Sequence, residues 1–164
     1  MEIVKLTPAD WKKFKNIRLE ALKNESQSFG TTYEEGLKKT VEEWKEPLGK
    51  STSYIFGAEE NNELFGLAAA YQENGKKCSH VAYIWGVYVR KSHRRKGIGK
   101  KLMVAIIKEL KSKKVVKANL NVTIGKISAL KLYQSLGFKT VGIMHKEMKV
   151  NGKYLDEYLM EKIF

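Results

Sequence analysis

The spacing of apolar and polar positions changes several times along the chain, and each change marks an element. "EIVKLT" (2–7) alternates and predicts a short strand. Thr7 then stands as an N-cap with Pro8 at the first helical position. Trp11, Phe14, Ile17 and Leu22 recur at helical spacing through "ADWKKFKNIRLEALK". "ESQSFGTT" breaks this helix, and Thr32 with Glu35 has the spacing of a capping box, predicting a second helix through Trp44. "TSYIFGAEE" and "ELFGLAAAYQ" read as strands joined in a hairpin at "ENN", and "HVAYIWGVYV" is a third strand. From Gly97, the residues Ile98, Leu102, Met103, Ile106, Ile107 and Leu110 follow a period near 3.6, so a helix begins at the glycines. "VVKANLNV" is a strand. "KISALKLYQSLGF" is a helix with Ile127, Leu130, Tyr133 and Leu136 on one face, ending at Gly137 with Phe138 placed to fold back in a Schellman cap. "KTVGIMHKEMKV", the Asn151-Gly152 turn and "KYLDEYLMEKIF" form a closing hairpin.

The order β-α-α-β-β-β-α-β-α-β-β predicts an α/β domain with a mixed sheet flanked by helices. No repeat, linker or low-complexity tract divides residues 1–164, so a single domain is expected. The third strand carries one further detail. Ala82 and Ile84 lie in one phase of alternation, Val87 and Val89 in the other, with Gly86 between, which predicts a β-bulge.

Composition narrows the classes. The N-terminus shows no secretory pattern, and the longest apolar runs, such as "LMVAII", are too short to span a bilayer. A single cysteine, Cys78, excludes an intrachain disulfide, and His80, His93 and His145 lack ligand spacing. The expectation is a cytoplasmic protein without a metal or a membrane partner. Charge is uneven: residues 1–60 carry 10 Lys/Arg and 11 Asp/Glu, whereas residues 61–164 carry 21 and 7. Within 90–117 there are 12 Lys/Arg against one acid, Glu109. Such clustering favours a polyanion, whether nucleic acid, an anionic surface or a phosphorylated cofactor.

The segment "VYVRKSHRRKGIGKKL" separates these options. It places two glycines and a cluster of cations where a strand gives way to a helix. There the unpaired N–H groups and the helix dipole favour an anion. A Gly-x-x-x-x-Gly-Lys-Ser/Thr loop is absent, because Lys101 follows Lys100 where Ser or Thr is needed. The dinucleotide pattern Gly-x-Gly-x-x-Gly fails at Leu102.

What remains, Arg94-x-x-Gly97-x-Gly99 after a strand, resembles the acetyl-CoA signature of the GNAT superfamily of N-acetyltransferases. "ALKLYQSLGF" is similar to that superfamily's later helix with its Tyr-x-x-x-Gly-Phe ending. The resemblance implies a mixed, centrally splayed sheet and acetyl-CoA as co-substrate, with no metal. It further implies transfer of an acetyl group to a primary amine by direct attack in a ternary complex. Backbone groups across Arg94, Arg95, Lys96, Gly97, Ile98, Gly99 and Lys100 would hold the pyrophosphate, and Val87, Tyr88 and Val89 would run beside the pantetheine arm. The Val89 N–H would serve the oxyanion, and Tyr133 would protonate the leaving thiolate.

Two departures stand out. Lys126 occupies the position where the superfamily often has a cofactor-contacting Asn, which leaves the usual contact open and offers a lysine–phosphate contact in its place. Tyr83 and Trp85 stand where many members carry a glutamate base, which leaves water, Glu73, Asp156 and Glu157 as bases. The expected acceptor is a small-molecule or peptide amine. Glu25, Glu34 and Glu35 offer charge to attract it, and Phe29, Tyr33 and Tyr154 offer pocket walls, although first-turn acids also serve a helix dipole. Two alternatives stand beside the enzyme: a basic nucleic-acid-binding protein, disfavoured by the lack of an RNA-binding or zinc-finger motif, and a non-catalytic CoA-binding protein of the same fold. Exposed strands in the last hairpin offer a route to a homodimer.

Overall fold

Seven strands share one sheet: β1 (Glu2–Lys5), β2 (Ser53–Glu60), β3 (Glu63–Gln72), β4 (Val81–Val89), β5 (Lys117–Thr123), β6 (Lys139–Val150) and β7 (Lys153–Ile163). The computed structural model describes all residues, Met1–Phe164. The sheet order is β1-β2-β3-β4-β5-β7-β6, antiparallel at every pairing except β4 with β5. β3 lies inside this order and is buried from Leu64 to Ala70, which its run of small and apolar residues permits on both faces.

Helices cover both faces. On one, α1 (Trp11–Asn24) and α3 (Val41–Gly49) bring Phe14, Ile17, Ala21, Trp44 and Leu48 against Ile55, Leu64, Leu67 and Ala69. On the other, α4 (Ile98–Ser112) packs Ile98, Leu102, Met103, Ile106 and Leu110 against Tyr54, Phe65, Ala68 and Ala70. Those five α4 side chains follow the expected period, while Ile107 is only half-buried. α5 (Ile127–Ser135) departs from expectation: only Tyr133 is buried, and Ile127 is 62% exposed. Its end matches the predicted cap, with Phe138 N–H donating to Tyr133 C=O (3.1 Å) and Gly137 N–H to Gln134 C=O (3.0 Å).

The second predicted helix is two. α2 (Tyr33–Lys38) starts at the Thr32–Glu35 capping box. Lys39 then turns extended (φ −65°, ψ 136°), and a second box begins, with Glu43 N–H donating to Thr40 Oγ1 (3.2 Å) and Thr40 N–H to Glu43 Oε2 (2.7 Å). An N-cap requires extended backbone, so a second Thr-x-x-Glu restarts the helix instead of prolonging it. Ahead of α1, Pro8–Asp10 forms a 3-10 turn, and Thr7 donates both its N–H and its hydroxyl to Asp10 Oδ2 (2.9 Å each).

The sheet opens in its middle. β4 and β5 pair only over Val81–Tyr83 and Lys117–Asn119, after which each continues without the other. The bulge expected at Gly86 is present: Gly86 has φ 67°, and the β3–β4 register steps from Ala69↔Trp85 to Leu67↔Tyr88. β6 has its own irregularity between Met144 and Met148, where Asp156 accepts from Lys146 N–H (2.8 Å) and lies 3.1 Å from His145 Nδ1. No helix is long and apolar enough to cross a membrane.

Replacing Thr40 with Ala removes a cap that a continuous helix would not have. The variant is expected to lose about 1 kcal/mol of stability in urea denaturation. A neutral or stabilised Thr40→Ala protein would instead mean one unbroken helix.

Candidate active site

A cavity of about 1370 Å³ occupies the parting of β4 and β5. β4 and β5 form its walls, the start of α4 its floor and α5 one flank, while β6, β7 and the segment after α1 close the far end. Of the expected cofactor residues, Val87, Tyr88, Val89, Arg94, Arg95, Gly97, Ile98, Gly99, Lys100, Lys126 and Tyr133 line it. Lys96 does not; its exposed side chain lies outside the wall.

The floor is a concavity of backbone donors. Gly97, the N-cap of α4, is left-handed (φ 74°, ψ 5°) and is followed at once by helical Ile98, a succession that turns consecutive N–H groups toward one point. Lys101 N–H bonds Gly97 C=O (3.1 Å), whereas the N–H groups of Ile98, Gly99 and Lys100 have no backbone acceptor. No side chain caps this helix, and its first turn holds no acid. Arg95, Lys96 and Lys100 have no carboxylate within ion-pair distance, so their charge stays uncompensated beside the free donors.

Arg94 and Lys126 behave differently. Arg94 Nη2 and Lys126 Nζ both hold Glu25, at 2.8 and 3.1 Å, so one carboxylate joins the loop before α4 to the start of α5. Burial works against Glu25's charge, but the two cations hold its carboxyl below the usual range. Arg94 Nε also donates to Val89 C=O (2.8 Å).

The wall on the β4 side has an orientation that the ladder fixes. Arg90 N–H donates to Phe65 C=O (2.8 Å), and bonded pairs alternate in an antiparallel ladder. The neighbouring Gly66–Val89 pair is therefore the unbonded kind, and Val89 turns its N–H and C=O away from β3 into the slot. Tyr88 offers the slot only its backbone side, because its ring is buried on the opposite face and its hydroxyl donates to Glu20 Oε1 (3.0 Å).

Tyr133, Glu157 and Arg18 bring buried ionisable groups to the cavity, and Glu147 adds a more exposed carboxylate to its wall. Tyr133 is 7% exposed and packs edge-on against Phe138, and burial pushes its phenol upward from the ordinary value. Glu157, on β7, is also 7% exposed; burial raises its carboxyl above the usual range despite hydrogen bonding from Asn121 and Thr123. Arg18, on α1, lines the same space. Of the bases considered from sequence, Glu73 lies off the cavity wall, and Asp156 is occupied in pinning the β6 irregularity. Phe29 lines the cavity, but Tyr33, Tyr154, Glu34 and Glu35 do not, and Glu35 serves its capping box. The sequence reading missed Arg18, although Phe14, Ile17, Arg18, Ala21 and Leu22 form one buried stripe in which it takes a core position. His93 stacks on Phe65 with ring centroids 4.4 Å apart and touches the cavity.

The profile of the Acetyltransferase (GNAT) family matches residues 17–138, a span that holds the bulge, the donor floor and Tyr133. The chain belongs to the GNAT acetyltransferase family. No curated protein sequence matches it. Among solved structures, a GNAT family acetyltransferase from Streptococcus pneumoniae shares the fold with TM-score 0.87, 20% identity and 99% coverage of both chains. A ribosomal-protein-alanine N-acetyltransferase from Brucella melitensis aligns over 100% of both chains at 23% identity and TM-score 0.83. The putative acetyltransferase yncA from Salmonella typhimurium, solved with its cofactor acetyl-CoA, aligns over 99% of this chain and 93% of its own, at 20% identity and TM-score 0.85. This GNAT acetyltransferase thus has the family's splayed sheet. It has no group of three or more His, Cys, Asp or Glu side chains placed to hold a metal.

Glu25 makes the bridge across the slot dependent on pH. Its folded pKa lies below the unfolded 4.5, so its contribution is complete above that value and is lost as pH falls through the folded pKa. The difference in melting temperature between the wild type and Glu25→Gln is expected to be largest near neutrality and to close in acid. A difference independent of pH would exclude the charge bridge as its cause.

Proposed function

We propose that the protein acetylates a primary amine directly from acetyl-CoA, both substrates being bound at once in the slot between β4 and β5. The observation that carries this reading is the meeting of two sets of unpaired donors: Val89 N–H on the parted strand and the Ile98–Lys100 N–H groups at the head of α4. A thread of acceptors ending in phosphates complements that arrangement. The acetyl-CoA found in the yncA relative supports it.

The residues present fit the co-substrate. Gly97 to Lys100 would receive the pyrophosphate on backbone N–H groups, with Arg95 and Lys100 adding charge. Val87 to Val89 would pair with the amide-bearing arm as a strand edge. Lys126, already turned to the cavity mouth through Glu25, would stand beside the phosphates. When bound, acetyl-CoA supplies an acyl group activated as a thioester.

The remaining steps belong to the chain's own groups. Glu157 accepts the proton of the incoming ammonium, a task that its raised pKa brings closer to the working pH. Val89 N–H donates to the acyl oxygen as negative charge develops there. Tyr133, kept protonated by burial, gives its proton to the departing sulfur, and the second proton that the nitrogen loses as the amide forms restores the phenol. Tyr83 and Trp85 offer no carboxylate; Glu157 on β7 supplies it.

Calorimetric titration with acetyl-CoA at moderate salt tests the cradle. Saturable one-site binding is expected, with only weak, salt-sensitive binding of duplex DNA in parallel. Absence of acetyl-CoA binding would overturn the reading, and tight DNA binding alongside it would put a nucleic-acid module in its place.

Tyr133→Phe and Glu157→Gln are each expected to lower kcat by roughly 10²-fold or more. Activity of the wild type should fall as pH drops through the Glu157 pKa, above its ordinary 4.5, because only the carboxylate accepts a proton. In Glu157→Gln that acidic limb should be missing. The same raised pKa means that the folded protein holds this proton more tightly than the unfolded chain does, so ionised Glu157 destabilises the fold as pH rises. Glu157→Gln should therefore melt no lower than the wild type at neutral pH.

A further inference from the structure

The molecule has 31 Lys and Arg and 18 Asp and Glu side chains, yet only two of them, Arg18 and Glu157, are buried. Both line the cavity between β4 and β5, they have opposite charge, and they do not pair with each other. Glu157 has neighbours in Asn121 and Thr123. Arg18 has no hydrogen-bonding partner: the residue is 9% exposed, and Nη1 is sealed from solvent without an acceptor.

What surrounds Arg18 holds it in place without neutralising it. The guanidinium lies over the Phe29 ring at 4.5 Å and the Trp85 ring at 5.4 Å, contacts that fix its plane but accept none of its N–H bonds. Nη1 stands near the bulge, 3.6 Å from where a Cβ on Gly86 would sit, and the missing side chain leaves that approach open. Nothing offsets the desolvation, which pulls the Arg18 pKa down to about 10. A buried cation without a partner is destabilising, and a bound anion relieves that cost.

From this arrangement we infer that Arg18 binds a carboxylate of the acceptor, which carries an amine and a carboxylate together and is thus an amino acid. The inference rests on the acetyltransferase reading above and names its substrate class. Phe29 and Trp85 beside Arg18, with Met144, Met148 and Leu159 elsewhere on the same cavity wall, favour an apolar side chain on that amino acid. A phosphate-bearing acceptor is a poorer match, because the free backbone donors that suit phosphate lie at α4 and not at Arg18.

The test compares acids with their amides. L-Leucine, L-methionine and L-phenylalanine, each beside its C-terminal amide, are titrated into enzyme saturated with CoA, where no turnover occurs. They are then assayed with acetyl-CoA by thiol release. At least one acid is expected to bind and turn over on the order of 30-fold better than its amide, the loss typical of leaving a buried charge unpaired. In Arg18→Met the ratio of acid to amide should collapse toward one, while the melting temperature stays level or rises because an unpaired buried charge is gone. Equal use of acids and amides, or use of neither, overturns the assignment. So does a variant that melts lower but keeps the acid preference, since Arg18 would then be a packing element with water on Nη1. Each of these results leaves acetyl-CoA binding, measured separately, to stand or fall on its own.

Discussion

The parting of β4 from β5 governs everything else in this structure. Two parallel strands that pair over three residues and then separate leave backbone donors and acceptors without their usual partners. Buried backbone groups are seldom left so. The chain meets part of the demand itself, because the Arg94 side chain folds back onto Val89 C=O. The rest stays open, and an extended molecule rich in amide groups is the natural complement of a strand edge. Gly86 makes the parting possible: at φ 67° it takes a backbone conformation that a larger residue resists, and the extra residue in β4 twists the strand away.

Charge follows the same geometry. The cations near the starts of α4 and α5 would repel across the slot mouth if each stood alone. Glu25, from the acid-containing first third of the chain, compensates two of them and ties α1's exit to both flanks of the cavity. Arg95, Lys96 and Lys100 remain uncompensated, so the local field is focused where the N–H groups of α4 converge. Net charge of +13 is thus a poor guide by itself; what matters is which cations lack a carboxylate.

Much of this was legible in sequence where a local rule has one outcome. The glycine-flanked start of α4, the phase slip at Gly86 and the Schellman end of α5 each depend on residues within a few positions of one another. The failures were of two kinds. Thr40 and Glu43 carry the same capping pattern as Thr32 and Glu35, but an apolar count running on to Trp44 hid the interruption. Arg18, and the choice of Glu157 among the candidate bases, needed knowledge of what lies opposite. Arg18 sits at a core position of a stripe beginning at Phe14, and Glu157 faces Thr123 only through the β5–β7 register. Tertiary pairing decided the chemistry of both.

Those two residues also show where stability and function pull apart. Elsewhere the core is alanine, leucine, isoleucine and aromatic side chains in contact on both faces of β3. At the slot the same interior accepts a guanidinium without a partner, a carboxyl whose charge burial opposes, and a buried phenol. A methionine at 18 and a glutamine at 157 would suit the fold at least as well. Groups that burden the empty protein but match an ammonium and a carboxylate gain their complement only when a ligand arrives. Binding energy released there is available to order the amine against the acyl group, so the unpaired state is part of how the site distinguishes its acceptor.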